Sequence, residues 1–417
     1  MTSRTEEANR AALDRVRAAS PFLVDLRPAG EVIPGLGPRE FLHAGPPLEG
    51  WREACGALRG AIVGTILRSG LARSLEEAEA LAVRDGVRLT PAHERNALGT
   101  FAAPICATTP VFVVENRAAG TRAFASINEG RGKALRYGST DAETLAKVAW
   151  LETGFAQIVA KAIASTGGID LFDIVSQALH MGDDGHSRQK ASSALFLAAL
   201  GPAIAESGFP ADETARALRF LAQNDFFFLP LAMAAAKSSM MAAEDIPGST
   251  IVTAMAFNGV RCGIRVSGTG ARWWTAPVPT IHGQYFQGFT AEDAGPVIGD
   301  SEITETIGLG AFAMAGAPAL ARYVGGTLED AARFSSEMYK VTAAEHPRFT
   351  IPALGFRGTP FGIDAQRVVE TGIEPVFNTG IAHRTGGVGQ IGAGYGRAPI
   401  AAVRSALDAI ERGMPKG

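Results

Sequence analysis

The chain has 417 residues, of which 47% are hydrophobic and 19% charged, and its formal net charge is −3 at pH 7. This length exceeds one ordinary core and predicts two or three domains of a globular protein. The small negative charge gives no electrostatic basis for binding nucleic acid or an anionic membrane surface, so we predict neither as a partner.

Cysteine usage and the lengths of the apolar segments indicate a cytoplasmic protein. The three cysteines, Cys55, Cys106 and Cys262, are scattered and odd in number, which is typical of reduced thiols rather than a disulfide framework or a zinc site. Apolar windows such as residues 191–204 are too short to span a bilayer. The charged, helix-like N-terminus is not that of a signal peptide.

Residues 1–140 mix strand and helix signals and are predicted to form an N-terminal α/β domain. The strands are predicted at 22–26, from residue 41, at 87–89, 111–116 and 122–127, and the helices at 6–19, 49–70 and 74–84. His43 lies at the end of a strand, where open α/β sheets bind ligands. Asn128 follows another strand and opens a stretch with an acid and two bases (128–133), which reads either as a simple turn or as a binding loop.

Residues 141–245 show apolar positions at helical spacing and are predicted to form an all-helical domain. Its helices are predicted at 141–165, 169–181, 188–205, 212–223 and 225–243. One connection between them carries Asp183, Asp184 and His186. These side chains could ligate a divalent ion with His43 or His93, or could act as general acid and base. No His-Glu-x-x-His motif is present, and we predict no bound metal.

Residues 246–417 return to strand signals and are predicted to form a C-terminal α/β domain. Strands at 250–257 and 260–266 flank Asn258-Gly259, which predicts a hairpin with a type I′ turn. Helices are predicted at 308–323, 327–344 and 399–412. The hairpin leads through Arg265 into the small-residue loop of Ser267 and Gly268, which lacks a Walker lysine and the dinucleotide-binding spacing.

Eleven glycines fall between Gly355 and Gly396, interleaved with polar side chains. Such a stretch forms either tight turns or a cradle of backbone N–H groups for an anion. Arg357 and Arg265 would flank the cradle as anion clamps, because a guanidinium binds planar anions through two donors. Alternatively, these arginines form ion pairs with acids such as Asp300 or Asp364. No nucleophile elbow occurs, and we discount nucleophilic catalysis.

Several ordered blocks resemble one family, that of the YlbE- and YahG-type proteins, over about residues 20–412. The blocks are His43–Pro47, Asn128–Gly130 with Gly132-Lys133, Met181–Asp183, Asn224-Asp225, Arg265–Gly268, Phe356–Pro360, Asn378–His383 and Gly389–Gly394. The resemblance implies two α/β subdomains with mixed sheets plus an all-helical one. One member of the family is a subunit of the oxamate carbamoyltransferase of anaerobic allantoin breakdown, a branch of purine and nitrogen metabolism.

The resemblance further implies a carbamoyl transfer in which oxalurate and phosphate give oxamate and carbamoyl phosphate. It implies a FdrA-type subunit or further copies of the chain as partners, and we predict no cofactor. The Ser-Thr-Arg signature of ornithine and aspartate carbamoyltransferases is absent from the predicted fold. The alternatives are a non-catalytic scaffold or ligand-binding subunit, and a metal-dependent ureide or amide hydrolase that uses Asp183, Asp184 and His186.

The expected substrates are small, planar and anionic, which suits arginine forks, backbone N–H groups and a proton-carrying histidine. The predicted catalytic residues are His186, His383, Asp183 and Arg357. The predicted substrate-binding residues are His43, Asn128, Arg265, Ser267, Gly268, Asn378, Thr379, Gly380, Gly387, Gly389 and Gln390.

Overall fold

The computed structural model describes residues 3–413, which form a mixed α/β fold as predicted. Residues 1 and 2 of the predicted N-terminal domain and residues 414–417 of the predicted C-terminal domain lie outside the described residues.

The strands occur in two groups, before residue 127 and after residue 251, with one short strand between them. They are β1 (Pro21–Pro28), β2 (Glu40–His43), β3 (Arg88–Pro91), β4 (Ala97–Leu98), β5 (Pro110–Asn116), β6 (Thr121–Ser126), β7 (Ile169–Asp170), β8 (Val252–Asn258), β9 (Arg261–Val266), β10 (Trp274–Pro277), β11 (His282–Tyr285), β12 (Ile298–Gly299), β13 (Thr342–Ile351), β14 (Arg357–Ile363), β15 (Val376–Ala382) and β16 (Gln390–Arg397).

The strands form several separate sheets. The largest has the order β4-β6-β5-β1-β7, in which the β4–β6 pair is parallel and the other pairs are antiparallel. A second sheet has the order β10-β9-β8-β12 and a third the order β11-β16-β15. Strands β13 and β14 form an antiparallel pair, whereas β2 and β3 form a parallel pair. Parallel and antiparallel pairing therefore both occur, as the sequence predicted, and the five-stranded sheet combines the two.

Six α-helices lie between residues 142 and 241, where the short strand β7 is the one strand. The helices are α1 (Ser3–Arg17), α2 (Ala29–Val32), α3 (Gly56–Arg68), α4 (Leu75–Val83), α5 (Ala142–Trp150), α6 (Ala156–Thr166), α7 (Leu171–His180), α8 (Lys190–Ala205), α9 (Ala211–Gln223), α10 (Leu229–Met241), α11 (Ile303–Thr306), α12 (Pro318–Tyr323), α13 (Leu328–Val341), α14 (Ala365–Thr371) and α15 (Ile400–Glu411).

Three helix predictions differ from the structure in their bounds more than the others do. The helix predicted at 308–323 is a 3-10 segment, Gly310–Gly316, followed by α12, because Pro318 cannot continue a preceding helix and instead begins a new one. The helix predicted from residue 225 begins at Leu229, with Pro230 in its first turn. The helix predicted at 49–70 is restricted to α3, after a short 3-10 turn.

The hairpin of β8 and β9 is present, but its turn is not type I′. A type I′ turn requires positive φ at both central residues, and only Gly259 has it, with φ of +88°. Asn258 instead accepts hydrogen bonds from the backbone N–H groups of Val260 and Arg261 at 2.9 and 2.7 Å. The asparagine side chain therefore closes the turn without a strained backbone.

One hydrophobic core joins α1, the five-stranded sheet and the helices α6–α10. Phe349 of β13 and Phe361 of β14 belong to this same core, so the helical stretch packs against elements from both ends of the chain. A second core lies among β8, β9, α13, α15 and the β15–β16 hairpin. Within residues 3–413, no helix is long and apolar enough to cross a membrane.

Replacing Gly45 by alanine is expected to destabilise the fold strongly. Gly45 has φ of +81°, and a Cβ there would lie 2.3 Å from the backbone of Phe257 and of Asn258. The left-handed backbone and the clash together predict a loss of about 2–5 kcal/mol in the free energy of unfolding. Gly120→Ala is the matched control, because it has φ of +68° with no atom within 4 Å of the new Cβ, and it should cost only about 1–2 kcal/mol. Denaturant unfolding measures both values, and equal losses would contradict the close approach at Gly45.

Candidate functional site

A cleft of about 560 Å³ lies where three segments meet. They are the basic loop (residues 128–137, after β6), the connection between α7 and α8, and the β15–β16 hairpin. Six of the residues that the sequence predicted for the site line this cleft: Asn128, His186, Thr379, Gly380, Gly389 and Gln390.

The basic loop is held in shape by its own polar groups. Asn128 Oδ1 accepts a hydrogen bond from Gly130 N at 2.9 Å and closes the first turn. The buried carboxylate of Glu129 accepts hydrogen bonds from the N–H groups of Leu135 and Arg136 at 2.7 and 2.9 Å. Because the acid binds backbone inside the loop, the basic side chains are left to line the cleft.

The cleft is lined by cations and by no carboxylate of the described residues, although Arg131 and Lys133 pair with Asp225 and Asp141 outside the lining, at 2.8 and 3.7 Å. Arg131, Lys133 and Arg136 all contribute to the lining, together with His186. Of the residues in the described part of the chain, no Asp or Glu lines the cleft. Such a wall attracts anions and disfavours cations.

Arg136 is the most constrained of these cations. It is buried, its Nη2 donates to Gly130 O at 2.6 Å, and its Cζ lies 4.7 Å from the centre of the Tyr137 ring. Its Nη1 is also buried and has no hydrogen-bond partner among the described residues. A buried guanidinium donor is costly to leave unpaired, so Arg136, which lines the cleft, retains donor capacity for an anion.

The position of His186 is fixed by the neighbouring carboxylate of Asp184. That carboxylate accepts from the backbone N–H groups of His186, Ser187 and Arg188 at 2.8–3.3 Å. It also accepts from Asn378 Nδ2 at 2.8 Å, and Asn378 Oδ1 in turn accepts from Ser187 Oγ at 2.7 Å. The α7–α8 connection is therefore tied directly to β15.

His186 carries a positive charge at neutral pH because of Glu305. The ring is buried, which by itself lowers the pKa, but its Nδ1 lies 2.9 Å from Glu305 Oε1. The carboxylate outweighs the burial and raises the pKa of His186 to about 9. Burial raises the pKa of Glu305 and the imidazolium opposes that effect. The cleft thus contains an imidazolium beside its three other cations.

Gln390 is held between two tyrosines at the other side of the cleft. Its Oε1 accepts from Tyr137 Oη, and its Nε2 donates to Tyr323 Oη, both at 3.3 Å, and to Gly392 O at 2.9 Å. The hairpin loop is anchored to the basic loop as well, because Gly387 N donates to Tyr137 O at 2.8 Å. These bonds join the two walls of the cleft.

Three predicted residues support the cleft without lining it: Gly387, through its hydrogen bond to Tyr137, and Asn378 and Asp183. Asn378 uses its amide on Asp184 and Ser187, as described above. Asp183 is fully buried, and its Oδ2 accepts from Ser192 N and Oγ at 2.8 and 2.9 Å. Burial raises the pKa of Asp183 to about 6. Its carboxylate anchors the first turn of α8 to the connection before it.

The structure does not bring Arg357 or His383 to the cleft. Arg357 is half-exposed at the start of β14, forms an ion pair with Glu345 at 2.6 Å and stacks on the Tyr339 ring. The pairing with an acid that the sequence left open is therefore what the structure shows, with Glu345 as the partner. His383 Nδ1 accepts from Thr385 N at 2.9 Å, outside the cleft lining.

The loop of Ser267 and Gly268 does not offer free donors. Its N–H groups donate to the carbonyls of Ile251 and Ser249, both at 2.8 Å, so they are not free to bind an anion. Arg265 is buried beside the Trp273 ring and does not line the cleft. The predicted cradle built from this loop and the C-terminal one is not assembled.

His43 also lies away from the cleft. It is buried at the end of β2, where its Nδ1 donates to Ala44 O at 2.8 Å. Burial lowers the pKa of His43 to about 4, so the ring is neutral. In residues 3–413, no three His, Cys, Asp or Glu side chains form a group that could hold a metal ion.

The sequence missed the cations that dominate the cleft. It drew attention to the stretch 128–133 but assigned a role only to Asn128. The sequence does show three basic residues close together, because Arg131, Lys133 and Arg136 lie within six residues, beginning five residues after the end of β6. Aromatic lining residues such as Phe226 and Tyr323 gave no comparable signal, since their spacing is also that of core residues.

The fold and the cleft define a mixed α/β protein whose candidate site is lined by basic side chains. Residues 87–301 match the profile of the family described as oxamate carbamoyltransferase subunit AllG. The chain belongs to this family, which confirms the resemblance seen in the sequence.

Three relatives extend the comparison over almost the whole chain. The oxamate carbamoyltransferase subunit AllG of Escherichia coli K12 is 42% identical over an alignment of 422 residues that covers 100% of both proteins. The uncharacterized protein YahG of the same organism is 42% identical over 96% of this chain and 84% of its own length. The crystal structure of a conserved protein of unknown function from Enterococcus faecalis V583 has a TM-score of 0.96, with 40% identity and 98% of each chain covered.

Removing the Arg136 guanidinium is expected to weaken anion binding. Arg136→Met keeps a long side chain but loses the buried donors, and we expect about tenfold weaker binding of sulfate in calorimetric titrations. Arg357→Met is the matched control, because it removes an arginine that is paired outside the cleft. If the control loses affinity and Arg136→Met does not, the anion site lies elsewhere.

Sulfate binding is also expected to weaken as the pH rises through 9. His186 is charged below its raised pKa of about 9, and about three quarters of the protein molecules carry a neutral His186 ring at pH 9.5. Since sulfate itself does not titrate in this range, its affinity should fall about three- to fourfold between pH 7.5 and 9.5. His186→Gln should bind weakly at pH 7.5 and show a flatter profile. An unchanged profile in this variant would show that another group is responsible.

Proposed function

We propose that this chain is the carbamoyl-transferring subunit of a complex, and that its cleft binds phosphate together with a small ureido acid. The observation that carries the proposal is the cleft wall of three Lys and Arg side chains and an imidazolium without a carboxylate. The volume of about 560 Å³ accommodates both substrates at once. Membership of the AllG family supports carbamoyl transfer as the chemistry.

The proposed reaction converts oxalurate and hydrogen phosphate into oxamate and carbamoyl phosphate. A phosphate oxygen attacks the terminal carbamoyl carbon, a C–O bond forms, and the bond from that carbon to the inner nitrogen breaks. The leaving nitrogen must gain one proton, and the hydrogen phosphate loses one, so atoms and charge balance. The group that carries this proton needs a pKa near or above neutral pH and a place in the cleft.

His186 is the residue suited to that proton transfer. Its imidazolium donates a proton to the departing nitrogen and takes one from hydrogen phosphate, with Glu305 holding the ring through Nδ1. Arg131, Lys133 and Arg136 bind the phosphate and stabilise the charge that develops on the carbamoyl oxygen. Asn128 and Gln390 supply side-chain amides that orient the ureido group.

The partner is proposed to be a FdrA-type subunit, with further copies of this chain as a second component. The family name designates a subunit, which supports an assembly. Phe286 and Val388 line the cleft and remain 38% and 41% exposed. A partner that covers these apolar side chains would also exclude water from carbamoyl phosphate.

Turnover of oxalurate with phosphate tests the proposal directly. Carbamoyl phosphate should form when this chain is combined with a FdrA-type subunit, and Arg136→Met should lower kcat/KM by about 100-fold. Arg357→Met should stay within about threefold of the parent, because its guanidinium is engaged outside the cleft.

The same assay separates the proposal from a scaffold role. If both Arg136→Met and His186→Gln leave the complex fully active, the chain does not carry the chemistry. Size-exclusion chromatography of each mixture establishes that the variants still assemble, so a loss of activity is not a loss of the complex. The matched Arg357→Met complex sets the range of activity expected from a change outside the cleft.

A further inference from the structure

A second, smaller pocket lies directly beside the cleft. Its volume is about 180 Å³, and Arg131, Ser187, Phe226 and Tyr323 line both cavities. The rest of its wall includes the end of the α7–α8 connection and the beginning of α8. A ligand in this pocket would therefore be separated from a ligand in the cleft only by the shared side chains.

Gln189 in the wall of this pocket has an unsatisfied side-chain amide. The residue is 1% exposed, and neither its Oε1 nor its Nε2 has a hydrogen-bond partner among the described residues. Burying a primary amide without partners is unfavourable, so a ligand that satisfies this amide is expected in the pocket. The complement of an amide is a group that offers one N–H donor and one carbonyl acceptor side by side, which is another carboxamide or a ureide.

The charges around the pocket favour a ligand that also carries a carboxylate. Asp225 is the one acid in its lining within the described chain, and it is paired with Arg131 at 2.8 Å. Arg188 Nε donates a hydrogen bond to Gly182 O at 3.0 Å and lies 3.6 Å from Asp183 Oδ1, so this guanidinium is already paired. Lys190 is exposed and has no ion pair within residues 3–413. One cation is thus free to bind a carboxylate close to Gln189.

We propose that this pocket is the subsite for a small acid with a carboxamide, the acceptor or leaving partner in carbamoyl transfer. Gln189 pairs with its amide and Lys190 with its carboxylate, while the cations of the cleft hold the phosphate. This inference rests on the proposed function. It adds one subsite to the cleft: the ureido end of the acid and the phosphate lie in the cleft, the carboxylate end of the acid lies in the smaller pocket, and Ser187 lines both.

Binding of two acids by the wild-type complex tests the subsite without any variant. Oxamate and pyruvate share a carboxylate and a carbonyl, but only oxamate has the amide nitrogen. We expect oxamate to bind about tenfold more tightly than pyruvate in calorimetric titrations, since one buried hydrogen-bond pair is lost with pyruvate. Equal affinities would overturn the proposal.

Two variants assign the preference to its residues. Gln189→Met should abolish the difference between oxamate and pyruvate and leave the affinity for inorganic phosphate unchanged. Lys190→Met should weaken both acids by a similar factor and preserve the difference. If Gln189→Met binds phosphate normally and still prefers oxamate, Gln189 does not form the subsite.

The outcomes also distinguish this inference from the proposed function. Arg136→Met should weaken phosphate binding but leave the preference for oxamate over pyruvate intact, because Arg136 does not line the smaller pocket. If the complex turns over oxalurate and Gln189→Met still prefers oxamate over pyruvate, the subsite is rejected and the proposed function is supported. If the wild-type complex prefers oxamate over pyruvate but does not turn over oxalurate, the subsite is supported and the carbamoyl transfer is rejected.

Discussion

The buried carboxylate of Asp184 is the interaction on which the candidate site depends. It accepts three backbone N–H groups of its own connection and the amide of Asn378 on β15. A carboxylate that accepts this many hydrogen bonds fixes the backbone around it, because each oxygen uses its lone pairs in defined directions. His186 and Ser187 are placed in the cleft by this single acid, and the hairpin wall is held at the same time.

Basic side chains line the cleft, and the acidic side chains nearest to them lie outside its lining. The side chains of Arg131, Lys133 and Arg136 line it, whereas Glu129 binds backbone inside the loop and Glu305 lies behind His186. A carboxylate in the second layer keeps the imidazole charged without meeting the ligand. A carboxylate in the lining would repel the same anion. The arrangement therefore gives an anion-binding surface within a protein of slightly negative net charge.

The glycine-rich C-terminal stretch has a role different from the one its composition predicted. A Cβ at Gly392 would lie 2.5 Å from Gln284 O, and a Cβ at Gly394 would lie 2.4 Å from His282 O. These glycines allow β11 to approach β16 closely, so their first function is sheet packing. Of its glycines, only Gly380 and Gly389 line the cleft, together with the nearby side chains of Thr379, Val388, Gln390 and Ala393. Glycine frequency alone does not separate close strand packing from ligand contact, since both need a missing side chain.

The sequence by itself determined the local elements, the mixed α/β class and the family, because periodicity, turn residues and ordered motifs are properties of short segments. It also marked Asn128, His186 and Gln390, which line the candidate cleft. Only the tertiary structure decided that Arg357 and Arg265 lie outside the cleft and that the basic loop lies inside it. An arginine looks alike in sequence whether it binds an anion or pairs with a glutamate. The distances between the basic loop, the α7–α8 connection and the β15–β16 hairpin are set by core packing, which no local sequence pattern specifies.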